Sequence, residues 1–73
     1  MEDLAKIQKC VCENIKKYRL QKGLSIKELS NMSGVSEKYL TRIENNDVKK
    51  LILKKIVSIA YAMNIPVCDL FLC

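Results

Sequence analysis

The sequence contains no histidine, the side chain that enzymes use most often for proton transfer near neutral pH. It also lacks a glycine-rich phosphate-binding loop and an acidic pair set in an evident pocket, so we expect no enzymatic activity, cofactor or small-molecule ligand. Without histidine, a zinc site would need all four cysteines, Cys10, Cys12, Cys68 and Cys73. Cys10 and Cys12 would project about 200° apart on a helix, so we expect reduced thiols rather than a metal site or a redox pair.

Proline and glycine are scarce, with one proline and two glycines among 73 residues. Together with a hydrophobic fraction of 49%, this argues against a fibrous or disordered chain and favours one small helical domain over residues 1–73. No apolar run is long enough to span a membrane, because Lys54 and Lys55 interrupt the longest one. Glu2 and Asp3 stand where a signal peptide would be basic, so we expect a cytoplasmic protein.

The charge balance is basic. Thirteen lysines and arginines stand against eight acidic residues, which gives a net charge of +5. A positive charge of this size favours a polyanionic partner such as nucleic acid. Because many basic proteins bind no polyanion, the partner has to be argued from where the helices place the charges.

Helical periodicity organises the first half of the chain. A first apolar stripe with steps of three and four comprises Leu4, Ile7, Val11, Ile15 and Tyr18. This stripe predicts a helix that ends at Gly23. Glu2 and Asp3 lie at its N-terminus, where negative charge interacts favourably with the helix dipole. A second helix is predicted from Ser25, which forms a capping box with Glu28; its inward residues are Ile26, Leu29 and Met32.

Gly34 then predicts a turn, and Ser36 is the natural N-cap of a third helix that runs to about Asn45. Two helices joined by so short a turn, over about residues 25–45, form the pattern of a helix-turn-helix. A fourth helix is predicted from about Leu51 to Met63 and is apolar around most of its circumference, which is typical of a central helix.

Asn64 can end the fourth helix, and Pro66 can begin a last short helix through Val67, Leu70 and Phe71. No segment has a convincing period of two, although residues 51–53 alone could also be read as a strand. The predicted fold is therefore all-α, a compact bundle of five short helices.

Lys38 and Arg42 lie four residues apart in the third helix. Two like charges at this spacing destabilise a helix by a few tenths of a kcal/mol, so their presence points to an anion outside the chain. For either residue alone, a solvated surface charge would be the simpler interpretation. Within a helix-turn-helix, contact with DNA is the better one.

The segments "ENIKKYRLQKGLSIKELSNMSGVSEKYLTRIEN" and "IAYAMNIPVCDLF" resemble the lambda-repressor and Cro-like (XRE) helix-turn-helix domains. The likeness covers residues 11 to 71 and includes "YRLQKGLS", "KEL", "GVS", "RIEN" and "DLF". It implies a five-helix domain that binds double-stranded DNA, with the third helix in the major groove and the second helix across the backbone. The function implied is that of a transcriptional regulator, expected to be a dimeric repressor of a phage-like, mobile-element or host operon.

The resemblance also implies roles for individual residues. The residues at base-reading positions are Ser36, Glu37, Lys38, Thr41 and Arg42. Tyr39 and Asn45 fall where the family tends to contact phosphate or sugar. From their place in the loop after the third helix we expect Lys49 and Lys50, with Lys54 a further candidate, to contact phosphate as well. Lys27 at the start of the second helix is expected to add one such contact. Arg19 and Glu44 match a structural ion pair that ties the first helix to the end of the third.

The physical chemistry of the groove agrees with the base-reading positions. A major groove about 12 Å wide accepts one α-helix, and side chains near its N-terminus reach base edges best. Lys38 and Arg42 could each donate to guanine, and Glu37 could accept from cytosine. The negative charge of bases and phosphates would then offset the repulsion between the two cations.

Other interpretations stay open for several of these residues. Tyr39 could equally pack under the third helix, Glu37 could only favour the helix dipole, and Lys49 and Lys50 could simply face solvent. Ile26 stands where family members often carry a phosphate-binding glutamine, Asn46 replaces the usual glycine, and no proline or cap opens the fourth helix. Without a proline or a cap, no local signal fixes the start of the fourth helix.

A second copy of the chain and an acidic protein are the candidate partners other than DNA. Apolar residues near the C-terminus, Val67, Phe71 and Leu72, could close the core or form a homodimer interface. The alternative function is a helical interaction module, antitoxin-like or an adaptor, whose basic face binds an acidic protein.

Overall fold

The computed structural model describes residues 2–72, with side chains described from residue 5. Its elements are α1 (Glu2–Gln21), α2 (Ile26–Ser33), α3 (Glu37–Glu44), α4 (Leu53–Ala62) and a C-terminal 3₁₀ helix (Val67–Phe71). No strand occurs within residues 2–72, so the all-α prediction is confirmed. Several predicted features lie outside the described residues. They are the side chains of Glu2 and Asp3, which are expected to favour the α1 dipole, the side chain of Leu4, and Cys73.

The helix ends follow local sequence signals. Gly23 is left-handed (φ 68); its N–H donates to the Leu20 carbonyl at 3.1 Å, and the Leu24 N–H donates to the Arg19 carbonyl at 3.1 Å. This Schellman arrangement satisfies carbonyls that the end of α1 would otherwise leave free. Asn64 ends α4 in the same way, with φ 57.

One apolar core joins all five elements. Its buried members are Val11, Cys12, Ile15, Leu29, Val35, Leu40, Ile43, Ile56, Ile59, Ala60, Met63 and Leu70. α1 packs against α3 and the 3₁₀ helix, α2 packs against α3 and α4, and α4 packs against the 3₁₀ helix. The helix-turn-helix is therefore supported by two other helices, with α3 packed against α1 and α2 packed against α4.

Two side chains of α1 hold the less regular segments. The Asn14 Nδ2 group donates to the carbonyls of Leu70 and Leu72 at 2.9 and 2.8 Å, which fixes the C-terminal 3₁₀ helix. The Gln8 Nε2 group donates to the Val48 carbonyl at 2.7 Å, within the loop between α3 and α4. Among the described helices, none is long and apolar enough to cross a lipid bilayer.

The burial of Met32 and the start of α4 differ from the prediction. Met32 was expected to face inward but is 55% exposed. α4 begins at Leu53 rather than Leu51, because Ile52 holds the N-cap position in extended conformation without a side-chain cap while Leu51 packs against the core.

α4 is also less central than its composition suggests. Its outer residues Leu53 and Val57 are 65% and 44% exposed, although Ile56, Ile59 and Ala60 are buried. The helix therefore contributes one face to the core and leaves an apolar face in solvent.

The cysteines differ from one another. Cys12 is a buried free thiol and Cys68 an exposed free thiol, as expected. The expectation of a reduced thiol is wrong for Cys10, which is disulfide-bonded. Within the part of the chain that the structure describes, no group of three or more acidic or cysteine side chains is placed to hold a metal ion.

Candidate nucleic-acid interface

A tight turn joins α2 to α3. Gly34 is left-handed (φ 77), and its N–H donates to the Ser30 carbonyl at 2.9 Å. The Val35 N–H then donates to the Ser33 hydroxyl at 3.1 Å, and the Val35 side chain is buried. Ser36 follows in extended conformation, and its hydroxyl accepts from the Tyr39 N–H at 3.1 Å. These local bonds fix the angle between the two helices, because each one restrains the backbone at the turn.

α3 has one buried face and one exposed face. Leu40 and Ile43 are fully buried, so they anchor the helix to the core. The exposed set comprises the five predicted base-reading residues, Ser36, Glu37, Lys38, Thr41 and Arg42. Successive helical positions turn by about 100°, so Glu37, Lys38, Thr41 and Arg42 share one side of α3.

The cations of this face have no anionic partner among residues 5–72. Within residues 5–72, the one ion pair joins Arg19 to Glu44, so neither Lys38 nor Arg42 is neutralised by a described carboxylate. Their charges are available to a ligand, and α3 can present them because its opposite side is packed.

The Arg19–Glu44 pair that the resemblance implies is present and largely buried. Arg19 Nε lies 2.6 Å from Glu44 Oε2 and Arg19 Nη2 lies 3.0 Å from Glu44 Oε1, and the two side chains are 12% and 6% exposed. Arg19 Nη1 also donates to the Leu24 carbonyl at 2.7 Å. Hydrogen bonding to Glu44 raises the pKa of Arg19, and the pair ties the end of α1 to the last residue of α3.

The Tyr39 ring is half-buried on the side of α3 that faces α4. Lys55 Nζ lies 4.3 Å from the ring centroid, a cation–π distance. The Tyr39 hydroxyl oxygen is buried, with no hydrogen-bond partner among the described residues. Of the two interpretations of Tyr39, packing is therefore better supported than contact with the DNA backbone.

The loop after α3 carries the predicted backbone-contact lysines. Asn45, Lys49 and Lys50 are all exposed. Asn46, which replaces the usual glycine, is left-handed with φ 54, and the Asp47 N–H donates to the Arg42 carbonyl at 2.7 Å. Asparagine can take this conformation, so the departure from the family pattern leaves the end of α3 intact.

Lys27, at the start of α2, is also exposed. Ser25 and Glu28 complete the predicted capping box, with bonds of 2.9 and 3.0 Å. Ile26 is half-buried against the core, so the position that often holds a phosphate-binding glutamine serves packing here. The start of α2 can therefore offer backbone N–H groups and Lys27 to an anion, but no side-chain amide at position 26.

Two contributors to this surface have no clear signal in the sequence. Lys55 belongs to α4 and reaches the Tyr39 ring of α3, and Gln8 reaches the loop across 40 positions of sequence. Neither contact follows from helical periodicity, since each joins residues in different elements. The positions that the resemblance predicts to read bases, in contrast, lie within α3 and its N-cap, and their shared exposed side follows from helical periodicity.

Comparisons with known proteins agree with this geometry. A family model described as "Helix-turn-helix" matches residues 15–70, and a search of curated proteins gives no match. The chain is similar to a crystal structure of SinR, described as the master regulator for biofilm formation, in complex with DNA. The TM-score is 0.77 at 30% identity, over 82% of this chain and 95% of that one. The chain is also similar to a SinR protein/SinI protein complex. The TM-score is again 0.77 at 30% identity, over 82% of this chain and 58% of that one.

Proposed function

Because the chain belongs to the helix-turn-helix family of the XRE type, we propose that it binds double-stranded DNA in a sequence-specific manner and regulates transcription. The observation that carries this proposal is the exposed, unneutralised pair of Lys38 and Arg42 on a helix whose other face is buried. The similarity to SinR, whose structure was determined in complex with DNA, supports the same conclusion. We expect it to act as a repressor.

α3 reads the sequence in this proposal. Lys38 and Arg42 donate to guanine O6 and N7, and Glu37 accepts from the cytosine amino group. Ser36 and Thr41 supply shorter contacts at the edges of the same face. Each bidentate contact would contribute about 1–3 kcal/mol of discrimination against a wrong base.

The flanking residues position the domain on the backbone. Lys49 and Lys50 in the loop, Asn45 at the end of α3 and Lys27 at the start of α2 are exposed and contact phosphates on either side of the groove. These contacts set affinity and salt dependence and carry no sequence information. Tyr39 stabilises the position of α3 by packing against the core. Any contact with the sugar-phosphate backbone would come from the exposed part of its ring.

Two copies bind as a homodimer to half-sites about 34 Å apart, which places both α3 helices on the same side of the duplex. Phe71 and Leu72, at 40% and 66% exposed, support an apolar interface near the C-terminus, while Val67 is half-buried against the core. Sedimentation of the protein with one operator duplex tests this arrangement. A complex with one protein chain on a duplex that contains both half-sites would contradict it.

Selection of bound duplexes from a random pool is the most informative test of the function. We expect one enriched motif, with the two half-sites arranged symmetrically. Binding of Lys38→Ala and Arg42→Ala is then measured on the selected site and on single-base variants of it. We expect each substitution to relax discrimination at its own base position.

Lys16→Ala is the matched control, because Lys16 is an exposed lysine of α1 outside the proposed surface. It should leave discrimination unchanged. If Lys38→Ala and Arg42→Ala also leave both affinity and sequence preference unchanged, α3 is not the reading helix and the proposed function is wrong.

A further inference from the structure

The hydrogen bond between Gln8 and the loop joins α1 to the segment that carries Lys49 and Lys50. The Gln8 Nε2 group donates to the Val48 carbonyl at 2.7 Å, and the contact is partly buried. Val48 directly precedes Lys49 and Lys50, so a restraint on its carbonyl limits where the next two residues can lie.

This loop has few other polar restraints. Its start is fixed by the bond from the Asp47 N–H to the Arg42 carbonyl, and its end is fixed where the Ile52 carbonyl accepts the first hydrogen bonds of α4. Between these points, residues 48–51 make no backbone–backbone hydrogen bond to any part of the chain that the structure describes. Val48 and Leu51 pack against the core, but apolar contacts are not directional. The Gln8 amide is therefore the directional restraint on the middle of the loop.

α1 is a firm support for that amide. Gln8 lies one helical turn before Val11 and Cys12, whose side chains are buried in the core. The Gln8 side chain is itself half-buried, which restricts its rotamers. A loop held from such a position loses less conformational entropy when its lysines bind a ligand.

We propose that Gln8 is a positioning residue that holds Lys49 and Lys50 in place for contact with DNA phosphates. The inference rests on the proposed function, and it adds a residue that precedes the segment matched by the family model, which begins at residue 15. Gln8 touches no DNA in this arrangement. It acts only through the Val48 carbonyl and the two lysines that follow.

Gln8→Met tests the proposal, because methionine has nearly the same length and helix propensity as glutamine but cannot donate a hydrogen bond. Gln21→Met is the matched control, since Gln21 is the other glutamine of α1 and is exposed. We expect Gln8→Met to weaken binding to the selected duplex by about threefold to tenfold, the factor that corresponds to the usual net contribution of one hydrogen bond. Gln21→Met should leave binding unchanged.

A double-variant comparison distinguishes positioning from general destabilisation. In a Lys49→Ala/Lys50→Ala background, Gln8→Met should have no further effect on affinity, because the lysines that it positions are gone. In the otherwise unaltered chain it should reduce the dependence of binding on salt, by up to about 0.9 in the logarithmic slope for each phosphate that a lysine no longer neutralises. Base preference should be the same in both backgrounds.

Each failure has its own signature. If Gln8→Met weakens binding equally in both backgrounds, Gln8 serves only the fold and the inference is wrong, while the proposed function stands. If Lys49→Ala/Lys50→Ala leaves affinity unchanged while Lys38→Ala reduces it, the loop contacts no phosphate and the inference is again wrong. If the protein selects no duplex, the proposed function and the inference fail together.

Backbone NMR relaxation in the DNA-free protein provides a readout independent of binding. We expect lower order parameters at the Lys49 and Lys50 N–H groups in Gln8→Met and no change in Gln21→Met, since only the first substitution loosens the loop. Unchanged order parameters at both lysines would show that Gln8 does not order them and would overturn the inference.

Discussion

Arg19 in α1 and Glu44 at the end of α3 face each other as a two-point ion pair, with N···O distances of 2.6 and 3.0 Å. The planar guanidinium matches the carboxylate, which makes this geometry more specific than a lysine pair could be. The third donor of Arg19 is used by the Leu24 carbonyl, so one side chain fixes both the end of α1 and the end of α3. The orientation of α3 thus depends on a residue that lies outside α2 and α3.

Glu44→Ala should therefore lower the free energy of unfolding by about 3 kcal/mol, because it leaves a largely buried guanidinium without its carboxylate. Urea denaturation followed by circular dichroism measures the effect, since the chain contains no tryptophan. Glu13→Ala, at an exposed position of α1, is the control and should change stability little. A similar small change for both variants would show that the pair contributes little to the fold.

Asn46 gives a second prediction about the end of α3. Its φ of 54 is costly for most residues with a Cβ atom, so Asn46→Ala should destabilise the protein by about 1 kcal/mol. Asn46→Gly should be neutral or stabilising. Asn31→Ala within α2 is a useful control, because alanine favours an exposed helix position and should not destabilise. Equal stability of Asn46→Ala and Asn46→Gly would argue against a left-handed residue here.

The capping box of α2 predicts a dependence on pH. The Ser25 backbone N–H donates to Glu28 at 2.9 Å and, with a smaller effect from the Ser25 hydroxyl, lowers the pKa of Glu28. Since the folded pKa lies below the unfolded one, the stabilisation is present above the unfolded pKa and is lost as pH falls through the folded pKa.

A carboxyl titration followed by NMR should give a pKa for Glu28 below that of an ordinary glutamate. Ser25→Ala should retain part of the lowering, because the backbone N–H remains. Glu28→Gln should remove this pH-dependent contribution, so the free energy of unfolding should fall less steeply as the pH is lowered through the range in which Glu28 titrates. An ordinary pKa for Glu28 would indicate that the box does not form in solution.

Cys12 and Cys68, the free thiols among residues 5–72, should react at very different rates. Burial, with a smaller effect of the Glu13 carboxylate, raises the pKa of the Cys12 thiol, whereas Cys68 is exposed. We expect iodoacetamide to modify Cys68 rapidly and Cys12 at least about a hundredfold more slowly, because Cys12 becomes accessible only on opening of the core. Mass spectrometry of partly alkylated protein measures both rates. Comparable rates would place Cys12 outside the core.

Local interactions explain how much of the fold could be predicted from the sequence. Ser25, Gly34 and Ser36 act within a few residues of their own position, and the structure places each helix end where these residues predict. The start of α4 was misplaced because no cap marks it, and packing of Leu51 delays the helix by two residues. Met32 was assigned to the core on periodicity, but α2 turns only part of its apolar side toward α3 and α4.

The candidate site divides in the same way. The exposed residues of α3 could be predicted because one short helix and its N-cap determine them. The position of Tyr39 under Lys55 and the bond from Gln8 to the loop could not, because each depends on how separate elements pack. Helical periodicity identifies a face, but it does not say which other element will meet it.

Gln8 and Asn14 both precede residue 15, where the match to the family begins, yet they hold the loop and the C-terminal 3₁₀ helix. A chimaera that grafted residues 15–70 onto a foreign first helix would keep every side chain proposed to read bases but would lack both of these amides. Such a hybrid should still prefer the same operator while binding it less tightly. On the proposed function, a transferred recognition module would keep its full affinity for the operator only if the whole opening helix came with it.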